Sequence, residues 1–218
     1  MIRVAPQPEP DHFDARVRQP GLRSLAEMRG ESGLPPRRGR PRTVRAEIRP
    51  EDLTDYWRHC LDDLHAVYRG ICAYACFHIE PVTGFRTVDH FVARYSARPE
   101  DAYEWANYRL ACGLMNARKH QFADVLDPFA IHDGWFQIEF FDCQVKPAND
   151  LDPATRDRVV DTIERLGLNE PPMPRQRRQY VEEYQERHID FDYLTRRAPF
   201  VAMEMERQNL VTHRGPLW

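Results

Sequence analysis

The stretch "TVDHFVARY", residues 87–95, decides the fold: a β-branched run ends in an adjacent Asp89–His90 pair followed at once by Phe91. Consecutive strand residues point to opposite faces, so these two side chains are not expected to form a hydrogen-bonded dyad. Each is expected to do a different job around a common centre. Further along stand Asn107, about to enter a helix, and Asn116 and Lys119 within it. The last two are three apart and share a helix face.

Working outward, "ICAYACFHIE" (71–80) and "FRTVDHF" (85–91) read as β-rich segments separated by the turn-like "PVTG". "EWANYRLACGLMNARKHQ" (104–121) reads as a helix, and "GWFQIEF" (134–140) as a strand whose sheet "CQV" extends. Upstream, "PEDLTDYWRHCLDDLHAVYRG" (50–70) repeats apolar residues at helical spacing, with Pro50 at its start and Gly70 as its stop. Downstream, "DPATRDRVVDTIERLGL" (152–168) is an amphipathic helix opened by Asp152 and Pro153 and closed near Gly167. Two more helices are expected over 175–196 and 199–212.

Residues 1–48 are rich in Pro, Arg and Gly without a sustained apolar period. They read as an extended or disordered arm in which only "SLAEMRG" (24–30) suggests a short helix. Residues 1–50 hold 11 Arg against 6 acidic residues, much of the excess in "PPRRGRPRTVR". Guanidinium groups give planar, bidentate contacts to phosphate, yet the net charge of −3 argues against a uniformly basic nucleic-acid binder. Composition permits a DNA ligand without establishing one. No run approaches the roughly 18–20 apolar residues of a membrane span, and the N-terminus lacks the apolar core of a secretory signal. The five cysteines are irregularly spaced and do not look like a disulfide framework. A soluble, cytoplasmic protein is the expectation.

The segment "VDHFVARYSARPEDAYEWANYRLACGLMNARK" (88–119) resembles the core of the HNH endonucleases. It is most similar to the small phage-defence type, in which an aromatic follows Asp-His and a W-x-N-x-x-L-x-C segment leads to Asn and Lys. The resemblance covers residues 72–129, roughly a quarter of the chain. It implies an α+β fold with a ββα-metal core flanked by N-terminal and C-terminal helices. The arm would then occupy 1–48, the nuclease domain with its helical brace 49–145, and a C-terminal helical region 146–218.

The resemblance also implies roles. Asp89 would ligate a divalent metal, and His90 would be the general base. Asn107 would hold the loop that aims the histidine, Asn116 would be the second protein ligand, and Lys119 would meet a phosphate. His120, next to Lys119, and Arg94 and Arg98, in the loop between strand and helix, would contact the DNA backbone. A carboxylate plus an amide oxygen is a hard-oxygen set suited to Mg²⁺ or Mn²⁺. An imidazole, with its ordinary pKa of about 6.5, can take a proton from water near neutrality.

One departure from the family matters. Many HNH proteins brace the motif with a zinc knuckle of two Cys-x-x-Cys pairs. Here Cys72 and Cys76 are spaced too widely, and Cys112 is followed by Met115 where a second cysteine would stand. Methionine is a poor zinc ligand. A structural zinc is therefore not expected, and an apolar mini-core is the preferred replacement. The alternatives are zinc held by Cys72, Cys76 and Cys112 with His78 or another donor, and redox-active cysteines. The resemblance to defence nucleases implies a partner that supplies targeting or control, often an ATPase encoded alongside. The chain itself lacks the phosphate-binding loop G-x-x-x-x-G-K-[ST], so any energy coupling would come from another chain. The functional expectation is a metal-dependent DNA endonuclease. Its rival is a non-catalytic HNH-like scaffold that binds DNA or a protein partner.

Overall fold

A computed structural model describes residues 1–33, 42–92, 98–120 and 122–213. Its centre is an antiparallel hairpin of β1 (Arg86–His90) and β2 (Tyr108–Cys112), in which Asp89 faces Arg109 and His90 faces Tyr108. The helix α3 (Gly113–Lys119) follows β2 without a break. The partner of β1 is thus residues 108–112, not the expected 71–80.

The 71–80 stretch makes turns and a single bridge, Ile71 to His78. Residues 72–76 are all buried, and Cys76 has a positive φ of 56°. A run buried on every side has no strand alternation to satisfy. It touches the hairpin through one backbone bond, Ala73 N–H to the carbonyl of Leu110 at 2.8 Å. The expected single helix over 104–121 is also corrected. Residues 105–107 form a 3₁₀ turn, 108–112 the strand, and only 113–119 a helix. The aromatic and apolar side chains of Tyr108, Leu110 and Ala111 are buried in the sheet layer, where a β-branched or aromatic residue is at home.

The N-terminal segment is not an extended arm. A π-helical turn (Asp14–Arg18) runs directly into α1 (Gln19–Met28), and Phe13, Val17, Leu25 and Met28 lie in the core. Phe13 packs edge-on against Trp105 at 5.5 Å and Tyr108 at 5.8 Å between ring centroids, and Trp105 donates its indole N–H to the carbonyl of Gln7 at 2.7 Å. The helix lays Gly21 against the ring of Tyr103, where an added Cβ would stand 2.2 Å from a ring carbon. Ala is the better helix former by about 1 kcal/mol, yet Gly21→Ala is expected to destabilise the protein by about 1–3 kcal/mol, because Tyr103 is fully buried and has nowhere to move. Urea denaturation reads this directly, and a stabilised variant would refute the packing.

The expected helix over 50–70 is broken into 3₁₀ turns (Pro50–Asp52, Tyr56–Cys60) and a short α2 (Leu61–Val67), with Gly70 at φ 69° ending it. A second antiparallel hairpin joins β3 (Phe136–Glu139) to β4 (Gln144–Pro147). This is a separate sheet from β1–β2. Then follow α4 (Pro153–Arg165), α5 (Met173–Gln185), α6 (Phe191–Arg197) and α7 (Pro199–Arg207). Where two C-terminal helices were expected there are three. Arg187 turns to φ 60°, and the Asp190 side chain accepts from Tyr193 N–H at 2.6 Å to start α6. The Asp152 cap on α4 is present as well, accepting from Thr155 N–H at 3.1 Å.

Helix α7 covers the edge of β3. The buried Glu204 carboxylate accepts from Ile138 N–H, and Gln208 donates to the Ile138 carbonyl, both at 2.8 Å. Covering a strand edge satisfies backbone groups that would otherwise recruit another strand. The described residues hold seven α-helices and two small antiparallel sheets, a mixed arrangement that agrees with the α+β class. Among them no helix is long and apolar enough to cross a membrane.

Candidate functional site

Asp89 and His90 leave β1 on opposite sides, as strand geometry requires. On one side, β1 and α3 meet in two rungs. Asn116 donates from its amide nitrogen to the Thr87 hydroxyl at 3.1 Å, and one helical turn later the Lys119 ammonium lies 3.3 Å from the Asp89 carboxylate. Positions i and i+2 of the strand thereby match i and i+3 of the helix.

Lys119 is 0% exposed and Asp89 2%. The ammonium has three donors, and it finds three acceptors: Asp89 Oδ1, the His90 carbonyl at 3.1 Å and the Phe91 carbonyl at 3.1 Å. The expectation that Lys119 meets a phosphate is corrected on this ground. It is a buried brace between strand end and helix. Tyr74 donates its hydroxyl to Asp89 Oδ2 at 2.5 Å. Burial raises the Asp89 carboxyl above its ordinary value, with Lys119 and then Tyr74 pulling against it.

On the other side, His90 sits edge-on to Trp57 and Tyr108, with ring centroids at 4.7 and 5.1 Å. Its Nε2 lies 3.1 Å from the carbonyl of Ala102. A carbonyl only accepts, so Nε2 carries the hydrogen. In the neutral ring the basic lone pair then belongs to Nδ1. Tyr108 shares the Ala102 carbonyl, donating to it at 2.8 Å.

Asn107 ties the two ends of the connecting loop together. Its side chain accepts from Val92 N–H at 2.7 Å and donates to the carbonyls of Val92 at 3.1 Å and Asp101 at 2.8 Å. Its backbone carbonyl accepts from Phe91 N–H at 2.9 Å. Arg109, opposite Asp89 on β2, turns away to clamp Asp127 through two bonds of 2.8 Å and lies 3.4 Å from the Phe129 ring centroid. This pins the "LDPF" loop to the sheet.

Asp89, His90 and Asn116 line one open cleft of about 670 Å³, together with Thr87, Arg58, Arg86 and His120. Charge at its mouth is mixed: Arg58 pairs with Asp55 at 2.8 Å and Arg86 with Asp62 at 2.5 Å. His120 is exposed just past α3, at φ 43°. Arg98 is exposed and pairs with Asp101 at 3.7 Å, away from the cleft lining. Arg94 lies outside the described residues.

The three cysteines at knuckle positions separate into a pair, Cys72 and Cys112, and a single, Cys76. Cys72 Sγ accepts from Cys112 N–H at 3.4 Å. The Cys112 thiol is pulled below its ordinary value, chiefly by the hydrogen bond from Cys72 and further by the N–H groups of Met115 and Leu114, with burial opposing them. Cys76 instead donates to the Tyr74 carbonyl at 3.8 Å, and the His78 ring lies against His65 and Arg197. Cys76 and His78 are thus engaged away from the Cys72–Cys112 pair, and Met115, where the second knuckle cysteine would stand, is fully buried in the hydrophobic core. Among the described residues no three His, Cys, Asp or Glu side chains converge as a metal-binding group.

Sequence reasoning missed Tyr74, Trp57, Thr87, Phe85, Arg58 and Arg86. Thr87 was readable, being on the Asp89 face by period two. Tyr74 and Trp57 come from distant segments, and no local spacing points to them. With this geometry in hand, no family model matches the chain, and no curated protein matches it.

Proposed function

We propose that the chain is a metal-dependent endonuclease of the HNH, ββα-metal type, acting on DNA phosphodiester bonds. One observation carries this reading: Asp89 and His90 from a strand end and Asn116 from the following helix line the same open cleft. That strand–strand–helix order is the one the family resemblance implies. The donor set suits a hard cation in kind. The Asp89 carboxylate and the Asn116 amide oxygen would hold Mg²⁺ or Mn²⁺, which bind through one or two protein oxygens and keep water and phosphate in the remaining positions. When bound, the cation supplies positive charge for the phosphate in its transition state.

The chain's own residues do the rest. The Ala102 carbonyl fixes the His90 tautomer, which makes Nδ1 the basic nitrogen for the general-base role that the resemblance implies. Asn107 holds the loop on which His90 ends. Lys119 and Tyr74 fix the Asp89 carboxylate. DNA charge is met at the cleft mouth by Arg58, Arg86 and His120.

One observation favours the scaffold reading instead. Both Asp89 oxygens already have protein partners, and one of them is an ammonium that opposes a second cation. Incubation of the purified protein with plasmid and single-stranded DNA, in Mg²⁺, Mn²⁺ or EDTA, separates the two. Cleavage that requires the cation and stops in EDTA is the expected result. No cleavage in either metal would overturn the hydrolase and favour the scaffold.

A further inference from the structure

Phe85 is 77% exposed, although it stands beside the catalytic strand and lines the cleft. Large aromatic rings favour burial by about 1.5–3 kcal/mol, so an open ring on a cleft lip asks for an occupant. Nor is this ring loosely held. The Phe85 carbonyl accepts from Gly113 N–H at 2.7 Å, and the ring rests on Gly113 so closely that a Cβ there would stand 2.2 Å from Cδ1. Glycine at the start of α3 thus gives the ring a seat.

Arg86, next in the chain, and Arg58 line the same cleft and bring guanidinium groups to it. Each is paired with an exposed carboxylate, and such surface pairs are worth only about 0–1 kcal/mol, so a phosphate can displace them. A ligand that offers a π-face and a negative charge together is a nucleotide with its base unstacked from its neighbours. Bases inside a duplex are stacked on both faces and cannot reach a ring on the protein surface.

We infer that the cleft takes single-stranded DNA, with one base stacked on Phe85 and its flanking phosphates held by Arg86 and Arg58. This rests on the proposed reading of the cleft as a DNA-phosphodiester site and names its substrate class.

The test is fluorescence anisotropy in EDTA with three labelled probes of equal length: a single strand, a tetrahydrofuran backbone lacking bases, and a blunt duplex. Base-to-aromatic stacking predicts that the wild-type protein binds the base-bearing strand roughly ten-fold or more tighter than the base-free backbone. Phe85→Ala should erase that ratio and Phe85→Trp should keep it. Phe85 is exposed, so neither variant should move the thermal melt. A wild-type ratio near one, an unchanged ratio in Phe85→Ala, tighter binding of duplex, or no binding at all would each overturn the inference. Mn²⁺-dependent cleavage of the base-free strand judges the hydrolase reading separately. A protein that cleaves nothing but shows the expected ratio leaves the stacking site standing and removes only the hydrolase.

Discussion

Replacing Lys119 by Met is expected to remove about 3–5 kcal/mol of stability, because it leaves a buried carboxylate without its counter-ion. Methionine has nearly the volume of the lysine stem, so packing is preserved and the loss is electrostatic. Three acceptors lose their donor at once: Asp89 and the carbonyls of His90 and Phe91. Tyr74 remains on Asp89, but one neutral hydroxyl does not replace an ammonium 3.3 Å away. For a chain of this size the loss corresponds to a fall in Tm of roughly 6–20 °C.

The pH dependence has a definite sign. Burial already raises the Asp89 carboxyl in the folded protein, and losing Lys119 raises it further. A raised carboxyl contributes stability below the ordinary carboxylate range and loses it as pH climbs through the raised value. The deficit of Lys119→Met should therefore shrink in acid and grow toward neutrality. Adding Asp89→Asn should recover much of the loss, a coupling that a double-mutant cycle reads. A Lys119→Met protein within about 0.5 kcal/mol of wild type would place the ammonium outside this pair.

The same residue shows how far the sequence could be read. Asn116 and Lys119 share a helix face, and that face does meet the Asp89 side of β1. What spacing could not show is depth. An ammonium reads as a surface group until its three acceptors are known, and two of those are backbone carbonyls that any residue supplies. The 71–80 segment was misread for a related reason. Its Cys, Ala and Tyr residues look β-rich, but burial on all sides with a positive φ at Cys76 makes it a turn. The true partner of β1 lay in "YRLAC", where leucine and alanine suited a helix equally well. The N-terminal helix was hidden by Gly21, which falls in the apolar stripe of Phe13, Val17, Leu25 and Met28 and breaks its pattern. There the missing side chain is what lets Tyr103 approach. The strand end, the α4 cap and the β3–β4 strands were legible because each rests on a local signal.

If the chain is the proposed nuclease, replacing His90 is expected to have the largest effect on its rate, and the choice of substituent decides what is learned. His90 lies between Trp57 and Tyr108, so Ala leaves a void that confuses lost chemistry with lost packing. Gln carries an amide N–H that can still donate to the Ala102 carbonyl, yet it offers no basic nitrogen. If Nδ1 of His90 takes the proton from the attacking water, His90→Gln should lower kcat by about 10²–10⁴-fold, with KM for DNA little changed. The proposed metal binding through Asp89 and Asn116 should survive, which titration with Mn²⁺ checks. Free imidazole should restore part of the activity of His90→Ala, because the void left beside the cleft is the shape of the lost ring. A histidine that merely fills the space between two aromatic rings predicts the reverse: His90→Ala melts early, His90→Gln retains its rate, and imidazole restores nothing.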